Sequence, residues 1–491
     1  MSRQARIRPT AVAVVHRGES VDYATLDAAA DAYAEALDAA GVGPGTTVPV
    51  LLPRSARLVA VLLAVLKRGA AYAAVDRRWP RERISRIAAL SRAPLMVTDT
   101  GAQGETPLWI VPDEPLRQAA SRRGALPPVA QDSSRAATVF FTSGSTGAPK
   151  GVLSPHRATT RLFSRSGFAD FGPGRVVLQA APVSWDAFSM ELWGPLTTGG
   201  TCVIADTDYL LPGTLGELVT NAGVDTAWLT ASLFNLLVDE DDPDHSCFTG
   251  LRQVLTGGER LSTAHVERFL ERHPDITLIN GYGPVENCVF ATTHRVTAAD
   301  CGRPDGIPIG VPVPGTTVHI LDGEQVLPPG AVGEICLAGQ GLALGYLGDA
   351  EATAASFVSL PLRAAPARLY RTGDLGLLDS DGTLHFRGRA DRQIKISGHR
   401  VEPGEIESTA RRIPGVREAA LVPVPAVGGG YERLALFYTA KDPAAPAPAL
   451  VRRALADLLP GHMVPHSVRR SAALPTTTNG KLDRAALLAS L

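Results

Sequence analysis

The chain has 491 residues, with 48 Lys and Arg against 49 Asp and Glu and a net charge of −1. That balance leaves no basic footprint for nucleic acid and no polybasic patch for a lipid surface. The longest apolar run, residues 58–66, has nine residues against the ~20 a bilayer demands, so no membrane span is expected.

In chain order, the charged start (residues 1–6) lacks the apolar stretch of a secretory signal. Residues 24–41 place Leu26, Ala30, Tyr33, Leu37 and Ala40 three or four apart, the spacing of an amphipathic helix. Strand 48–52, helix 58–67, strand 70–75, helix 83–91 and strand 95–98 follow, an alternation that predicts α/β layers around a largely parallel sheet. Residues 101–129, polar and broken by Gly and Pro, read as a surface loop. From 311 to 345 short β-rich runs (317–321, 332–338) alternate with turns and predict a small β subdomain. Residues 388–392 read as a hinge. After it come strand 393–396, helix 403–413, strands 418–424 and 433–439, and helix 449–458, enough for a second core. The expected fold class is therefore α/β. A large N-terminal domain of layered α/β subdomains plus the small β subdomain spans residues 1–390, and a small α+β C-terminal domain spans 391–491. The five cysteines (Cys202, Cys247, Cys288, Cys301, Cys336) show no C-x-x-C spacing, which argues against disulfides or zinc and for a cytoplasmic chain.

Three segments carry chemistry. The apolar run 136–141 leads into Thr142-Ser143-Gly144-Ser145-Thr146-Gly147-Ala148-Pro149-Lys150-Gly151, with four hydroxyls, three glycines and a lysine in ten residues. Glycine backbone, free N–H groups, hydroxyls and a cation suit a phosphate. The pattern is not a P-loop, and a plain surface turn is the competing reading. In Asn280-Gly281-Tyr282-Gly283-Pro284-Val285-Glu286, the tyrosine can stack on a base and the glutamate can hold magnesium, or the segment is a turn with a solvated glutamate. Asp374, closing Tyr370-Arg371-Thr372-Gly373-Asp374, can accept ribose hydroxyls or simply sit in a turn.

Together these blocks, with Val21-Asp22-Tyr23, residues 65–72 and Asn479-Gly480-Lys481-Leu482-Asp483-Arg484, resemble the adenylate-forming superfamily over nearly the whole chain, and within it the adenylation domains of nonribosomal peptide synthetases. The resemblance implies ATP and Mg2+ as cofactors and two half-reactions. A carboxylate first attacks the α-phosphate of ATP; a carrier-protein thiol then displaces AMP. It implies nucleotide binding by Thr142, Ser143, Gly144, Ser145, Thr146, Gly147, Lys150, Gly281, Tyr282, Gly283, Asp374, Arg389 and Lys395. Glu286 would hold the metal, and Lys150, Glu286 and Lys481 would serve catalysis. Asp391 would be the hinge of a mobile lid that withdraws Lys481 and presents residues 398–402 for the second step.

For the substrate, the resemblance assigns Asp186 to an α-ammonium, with a helix cap as the rival reading. Ala187, Met190, Trp228, Leu255, Gly257, Gly281, Val289 and Phe290 would line the side-chain pocket, with Lys481 at the carboxylate. None of the lining set is ionisable, which suits a medium aliphatic, valine-like side chain. The chain departs from the family pattern at Trp185, Val285, Leu344, Ser397 and His462. No carrier segment follows Arg484, so a free-standing domain, or a piece cut from a longer synthetase, would load a peptidyl carrier protein in trans, with an MbtH-like helper as a further candidate partner. An acyl- or aryl-CoA ligase and a non-catalytic scaffold are the competing readings.

Overall fold

The computed structural model describes residues 1–101, 106–124, 129–130, 132–142, 149–163, 167–207, 209–242, 244–362, 366–426, 430–440, 446–476 and 482–491. Ser143, Gly144, Ser145, Thr146, Gly147 and Lys481 therefore lie outside the described residues.

The amphipathic spacing of the first long helix is realised in Tyr23–Ala39, which buries Leu26, Tyr33 and Leu37 and begins where the Asp22 side chain accepts the N–H of Thr25 at 2.7 Å. It packs against Ala56–Lys67, capped by Ser55, in which every residue from 58 to 65 is buried. A side chain such as Leu62, with no exposed surface, is worth about 2–5 kcal/mol on truncation to alanine. These helices lie in the core that also holds the seven-stranded sheet. There Thr47–Leu51, Ala71–Ala74 and Met96–Thr98 run parallel, while Ala136–Thr142 and Lys150–Pro155 form an antiparallel hairpin.

A nine-stranded sheet carries the parallel run Thr226–Thr230, Gln253–Gly257 and Thr277–Tyr282 at its centre. A six-stranded antiparallel sheet is built from Thr316–Asp322, Gly333–Gly339, Pro366–Leu378 and their neighbours. This is the expected β subdomain, although its strands continue to Arg389 rather than stopping at 345. The C-terminal sheet begins at Ile394–Ile396 and has two packed faces. One, with Leu421 and Leu436, packs with Ile406 and Leu455 of the helices Pro403–Arg411 and Pro448–Leu458; the other, with Ala420, Val422 and Phe437, packs with Leu487 of Arg484–Ala489. A large N-terminal unit and a small C-terminal unit are thus present, each with its own core.

The surface-loop expectation for 101–129 is corrected. That stretch holds a strand, Leu108–Ile110, paired to Met96–Thr98, and a short helix, Leu116–Ser121. Both are too short to show a period in the sequence. All five cysteines are free. No helix among the described residues is long and apolar enough to cross a membrane.

Candidate active site

The parallel strands of the nine-stranded sheet end at one level, with Thr230 beside Gly257 and Gly257 beside Gly281. An open cleft lies beyond these carboxyl ends, where ligands bind in sheets of this kind. Among the residues expected from sequence, the cleft is lined by Thr142, Asp186, Ala187, Trp228, Gly281, Gly283, Val289, Phe290, Asp374, Arg389 and Lys395. Met190 and Leu255, each 1% exposed, pack directly behind Val289 and Phe290. Gly257 sits at φ +156°, and a Cβ there would lie 2.1 Å from the Gly281 carbonyl oxygen, so only glycine lets the two strand ends come together. Lys150 pairs with Thr142 at the end of the antiparallel pair Ala136–Thr142 and Lys150–Pro155, and its ammonium stands 5.2 Å from the Tyr346 ring centre.

Asp186 is the first residue of the helix Asp186–Thr198. One carboxylate oxygen accepts the Val289 N–H at 2.8 Å and the other accepts Ala187 N–H at 3.0 Å. Burial pushes its carboxyl above the ordinary range, and the Val289 N–H opposes that shift. The group is therefore oriented but lacks a full countercharge, the state of a carboxylate awaiting a cationic partner. The N–H that orients it comes from a strained loop: Cys288 has φ +50° and Val289 +63°. A β-branched residue in that region is costly and persists only where its surroundings enforce it. The enforcing group is Arg161, which the sequence does not single out. Its buried guanidinium donates from Nη2 to the Asn287 carbonyl at 2.6 Å, to Asn287 Oδ1 at 2.6 Å and to the Phe290 carbonyl at 2.9 Å.

At the other end, Tyr282 donates its hydroxyl to Asp374 Oδ2 at 2.5 Å, while its ring is 8% exposed and packed near Phe386. Arg389 bonds the second Asp374 oxygen. It also grips Asp391 through Nε at 2.7 Å and Nη2 at 2.8 Å, so the expected hinge and the expected ribose ligand share one guanidinium. Lys395 lies half-buried in the fields of Asp374 and Asp186; desolvation lowers its pKa and Asp374 pulls it back.

The C-terminal unit turns the loop preceding His399–Val401 into this cleft. Gly398, at φ +81°, donates its N–H to Glu259 Oε1 at 2.9 Å, and a Cβ there would lie 2.5 Å from Thr230 Cγ2. His399 stands edge-on to Trp185 at 4.3 Å and stacks on His462 at 3.7 Å with only 10° between the ring planes. Trp185 in turn meets Trp228 at 6.0 Å. Two departures from the family pattern, Trp185 and His462, thus meet in one aromatic ladder across the junction. Arg83, 7% exposed on the helix Arg81–Ser91, pairs with the buried Glu405 at 3.0 Å. Glu259, Arg83 and Trp79, which lines the cleft beside Arg83, were not singled out from sequence, because the C-terminal partners of Glu259 and Arg83, Gly398 and Glu405, are remote in the chain.

Glu286 is 1% exposed. Arg400 Nη1 binds both of its oxygens, at 2.9 and 3.1 Å, and Tyr346 donates its hydroxyl to Oε1 at 2.8 Å. Burial opposes its ionisation, but the Arg400 charge prevails and holds the carboxyl below its ordinary value. A lone hard carboxylate suits magnesium that takes its other ligands from phosphates and water. No group of three metal-ligating side chains occurs among the described residues.

The residues flanking Lys481 are placed elsewhere. Leu482 packs with the face of the C-terminal sheet covered by Arg484–Ala489, and the Arg484 guanidinium reaches Glu407. Neither Leu482 nor Arg484 lines the cleft.

The profile of the AMP-binding enzyme family matches residues 1–347, and that of the AMP-binding enzyme C-terminal domain matches 405–481. Malpibaldin synthetase of Mortierella alpina is 39% identical over 98% of this chain and 9% of that protein. A dimodular nonribosomal peptide synthase of Bacillus subtilis (strain 168) is 36% identical over 99% of this chain and 21% of that protein. The chain therefore spans only a small part of these relatives. A solved structure of an NRPS protein containing adenylation and PCP domains, bound to a vinylsulfonamide inhibitor, superposes with a TM-score of 0.89 at 40% identity, over 100% of this chain and 83% of that one. The chain belongs to the AMP-binding enzyme family of the adenylate-forming superfamily and is a homologue of the adenylation domains of nonribosomal peptide synthetases.

Proposed function

We propose that this chain activates an amino acid as its aminoacyl adenylate and passes the acyl group to the phosphopantetheine thiol of a carrier protein. In the first step a carboxylate oxygen of the amino acid attacks the α-phosphorus of ATP. The bond to the β-phosphate oxygen breaks and its electron pair leaves on pyrophosphate. In the second, the carrier thiolate attacks the acyl carbon and the mixed-anhydride bond breaks toward AMP. Two anions must meet in the first step, so cations and oriented N–H groups have to offset their repulsion. Thr142, Lys150 and the loop residues Ser143, Gly144, Ser145, Thr146 and Gly147 are proposed to grip the β- and γ-phosphates. Asp374, held by Tyr282 and Arg389, would take the ribose hydroxyls, and Lys481 would reach the reacting carboxylate and α-phosphate. Magnesium at Glu286 would supply charge neutralisation between the phosphates.

The observation that carries the reading is Asp186, a half-buried carboxylate in the cleft that is anchored by the Val289 N–H and lacks a full countercharge. An α-ammonium meets that need, whereas a plain acyl or aryl acid would leave the charge unanswered, at a cost of several kcal/mol. Around it Ala187, Trp228, Val289 and Phe290, backed by Met190 and Leu255, offer an apolar wall. A medium aliphatic side chain of the valine class fits such a wall, and one methylene gives only ~1–3 kcal/mol of discrimination within that class. We further propose that residues 1–390 form the ATP- and amino-acid-binding core and 391–491 a lid pivoting at Asp391. Amino-acid-dependent ATP–pyrophosphate exchange across a panel tests this directly. Strongest exchange with valine, isoleucine, leucine or 2-aminobutyrate is expected. Turnover only with non-amino carboxylic acids and CoA would replace the reading by an acyl- or aryl-CoA ligase, and silence with every acid, with or without an MbtH-like helper, would replace it by a scaffold.

A further inference from the structure

We propose that Arg400 and the nucleotide's metal ion are alternative occupants of Glu286, so that departure of the ion with pyrophosphate is what admits the C-terminal unit to the orientation seen here. The inference rests on the adenylating function proposed above. It begins with the burial of Glu286, which is 1% exposed. A carboxylate in that position stays charged only beside a cation. In this structure the cation is Arg400, whose side chain is 20% exposed and whose Nη1 engages both oxygens, while Tyr346 takes the remaining approach to Oε1. Arg400 Nη1 on both oxygens and the Tyr346 hydroxyl on Oε1 already take three of the carboxylate's roughly four lone-pair sites, so a magnesium ion, which demands near-octahedral oxygen geometry, competes with the guanidinium for the same group.

Arg400 also cannot retreat on its own. It follows Gly398, pinned by the Glu259 carboxylate, and His399, held against Trp185, and Glu259 is itself held by the Ser232 hydroxyl. Through that short loop the position of one guanidinium reports the position of the whole C-terminal unit. Removing the ion leaves Glu286 uncompensated; docking the loop restores the charge. Binding the ion does the reverse, which is a reciprocal linkage between metal and orientation. Arg400 is thereby a positioning residue for the thiol-transfer step, and its charge is spent on Glu286 rather than on the acyl group.

Two readouts that need neither amino acid nor turnover test this. The first is Mn2+ binding, followed by electron paramagnetic resonance in the presence of α,β-methylene-ATP. The second is the inter-unit distance between spin labels on the exposed positions Glu240→Cys and Arg453→Cys, in a Cys301→Ser background. In the parent chain Mn2+ with the analogue is expected to deplete the observed orientation, and the analogue in EDTA to deplete it less. Arg400→Gln is expected to tighten Mn2+ binding severalfold and to reduce the observed orientation before any ligand is added. Arg400→Lys, which keeps the charge but shortens the reach and loses the planar guanidinium, should fall between the two, and it carries the test if Arg400→Gln melts at a markedly lower temperature. Unchanged Mn2+ affinity in both variants, or full retention of the observed orientation with Mn2+ bound, overturns the proposal. If metal and orientation trade places as expected while no amino acid supports exchange, the functional reading fails and the cation exchange stands.

Discussion

Asp186, half-buried in the cleft wall, and Glu286, fully buried behind Arg400, are both carboxylates, yet they are held by different parts of the molecule. Both hydrogen bonds that orient Asp186 come from the N-terminal unit, the Ala187 N–H at the start of its own helix and the Val289 N–H from a loop locked by Arg161, although Lys395 of the C-terminal unit adds its field. Glu286 takes its main partner from the C-terminal unit, as do Glu259 through Gly398 and Arg83 through Glu405. The amino-acid end is preformed, and its strain at Cys288 and Val289 is sustained by packing. The junction end exists only while the two units keep this orientation. On the proposed function, a cleft that first joins two anions and then admits a thiol would gain from that division: fixed dipoles where the substrate stays, exchangeable ones where the chemistry changes.

The division is broken most directly at Asp186. Asp186→Asn keeps an acceptor for the Val289 N–H, so the fold should melt within a few degrees of the parent, but the α-ammonium loses its charge partner. Loss of one member of an ion pair that the bound substrate closes off from water costs about 3–5 kcal/mol, hence a fall of about 10²- to nearly 10⁴-fold in amino-acid-dependent exchange. Exchange within threefold of the parent would mean that the preformed end does not read the ammonium at all. Lys481→Ala addresses the junction end. It is expected to lower adenylate formation by about 10²-fold or more, as removal of one charge-stabilising donor does, while carrier loading from preformed adenylate is spared. Equal losses in the two half-reactions would erase the distinction between the ends.

How far the sequence foretold these ends follows the same division. Helices and strands with clear periods, such as Tyr23–Ala39 and Thr47–Leu51, lie within two residues of the expected bounds, since burial of one face fixes the spacing. Groups that act within a short motif were also legible, because Asp186, Glu286 and Asp374 announce themselves by their immediate neighbours. What stayed hidden are partnerships across long separations. Arg161 looks like any surface arginine until its guanidinium meets carbonyls 126 and 129 residues away. Arg83 falls on an ordinary amphipathic helix and finds Glu405 only 322 residues later. No local period encodes such a contact; it is decided by how the layers pack.

Arg161 gives the next test, of the strain itself. Arg161→Met keeps much of the volume and removes the donors that hold Asn287 and Phe290. Each hydrogen bond to a charged group is worth about 1.5–3 kcal/mol, so relaxation of Val289 should raise the KM for the amino acid about tenfold while kcat changes less. A matching fall in kcat with KM unchanged would place Arg161 outside the preformed end.

The smallest effect concerns protons at the junction. Burial lowers the pKa of His399 to about 3 and holds His462 well below its ordinary value. His399 faces Trp185 and His462, with Asp76 raising and Arg78 lowering its pKa, while Arg83 bears on His462. A lowered pKa means that the docked orientation favours the neutral rings. Above the ordinary histidine value of 6.5 both orientations carry neutral rings and the docked one keeps its full stability; as pH falls from 6.5 toward 3, protons bind only where the ladder is open. From His399 alone, the docked-to-open ratio at pH 5.5 should be about tenfold lower than at pH 7.5, and His462 adds in the same direction. In the docked orientation Arg400 holds the Glu286 carboxyl below the ordinary range, so there its charge persists through this window. Inter-unit spin-label distances between pH 5.5 and 7.5 measure the ratio, and His399→Phe should flatten most of the dependence while keeping the ring against Trp185. A flat profile in the parent chain would show that the histidine ladder merely fills space, and that the charges at Glu286 and Glu405 set the orientation without it.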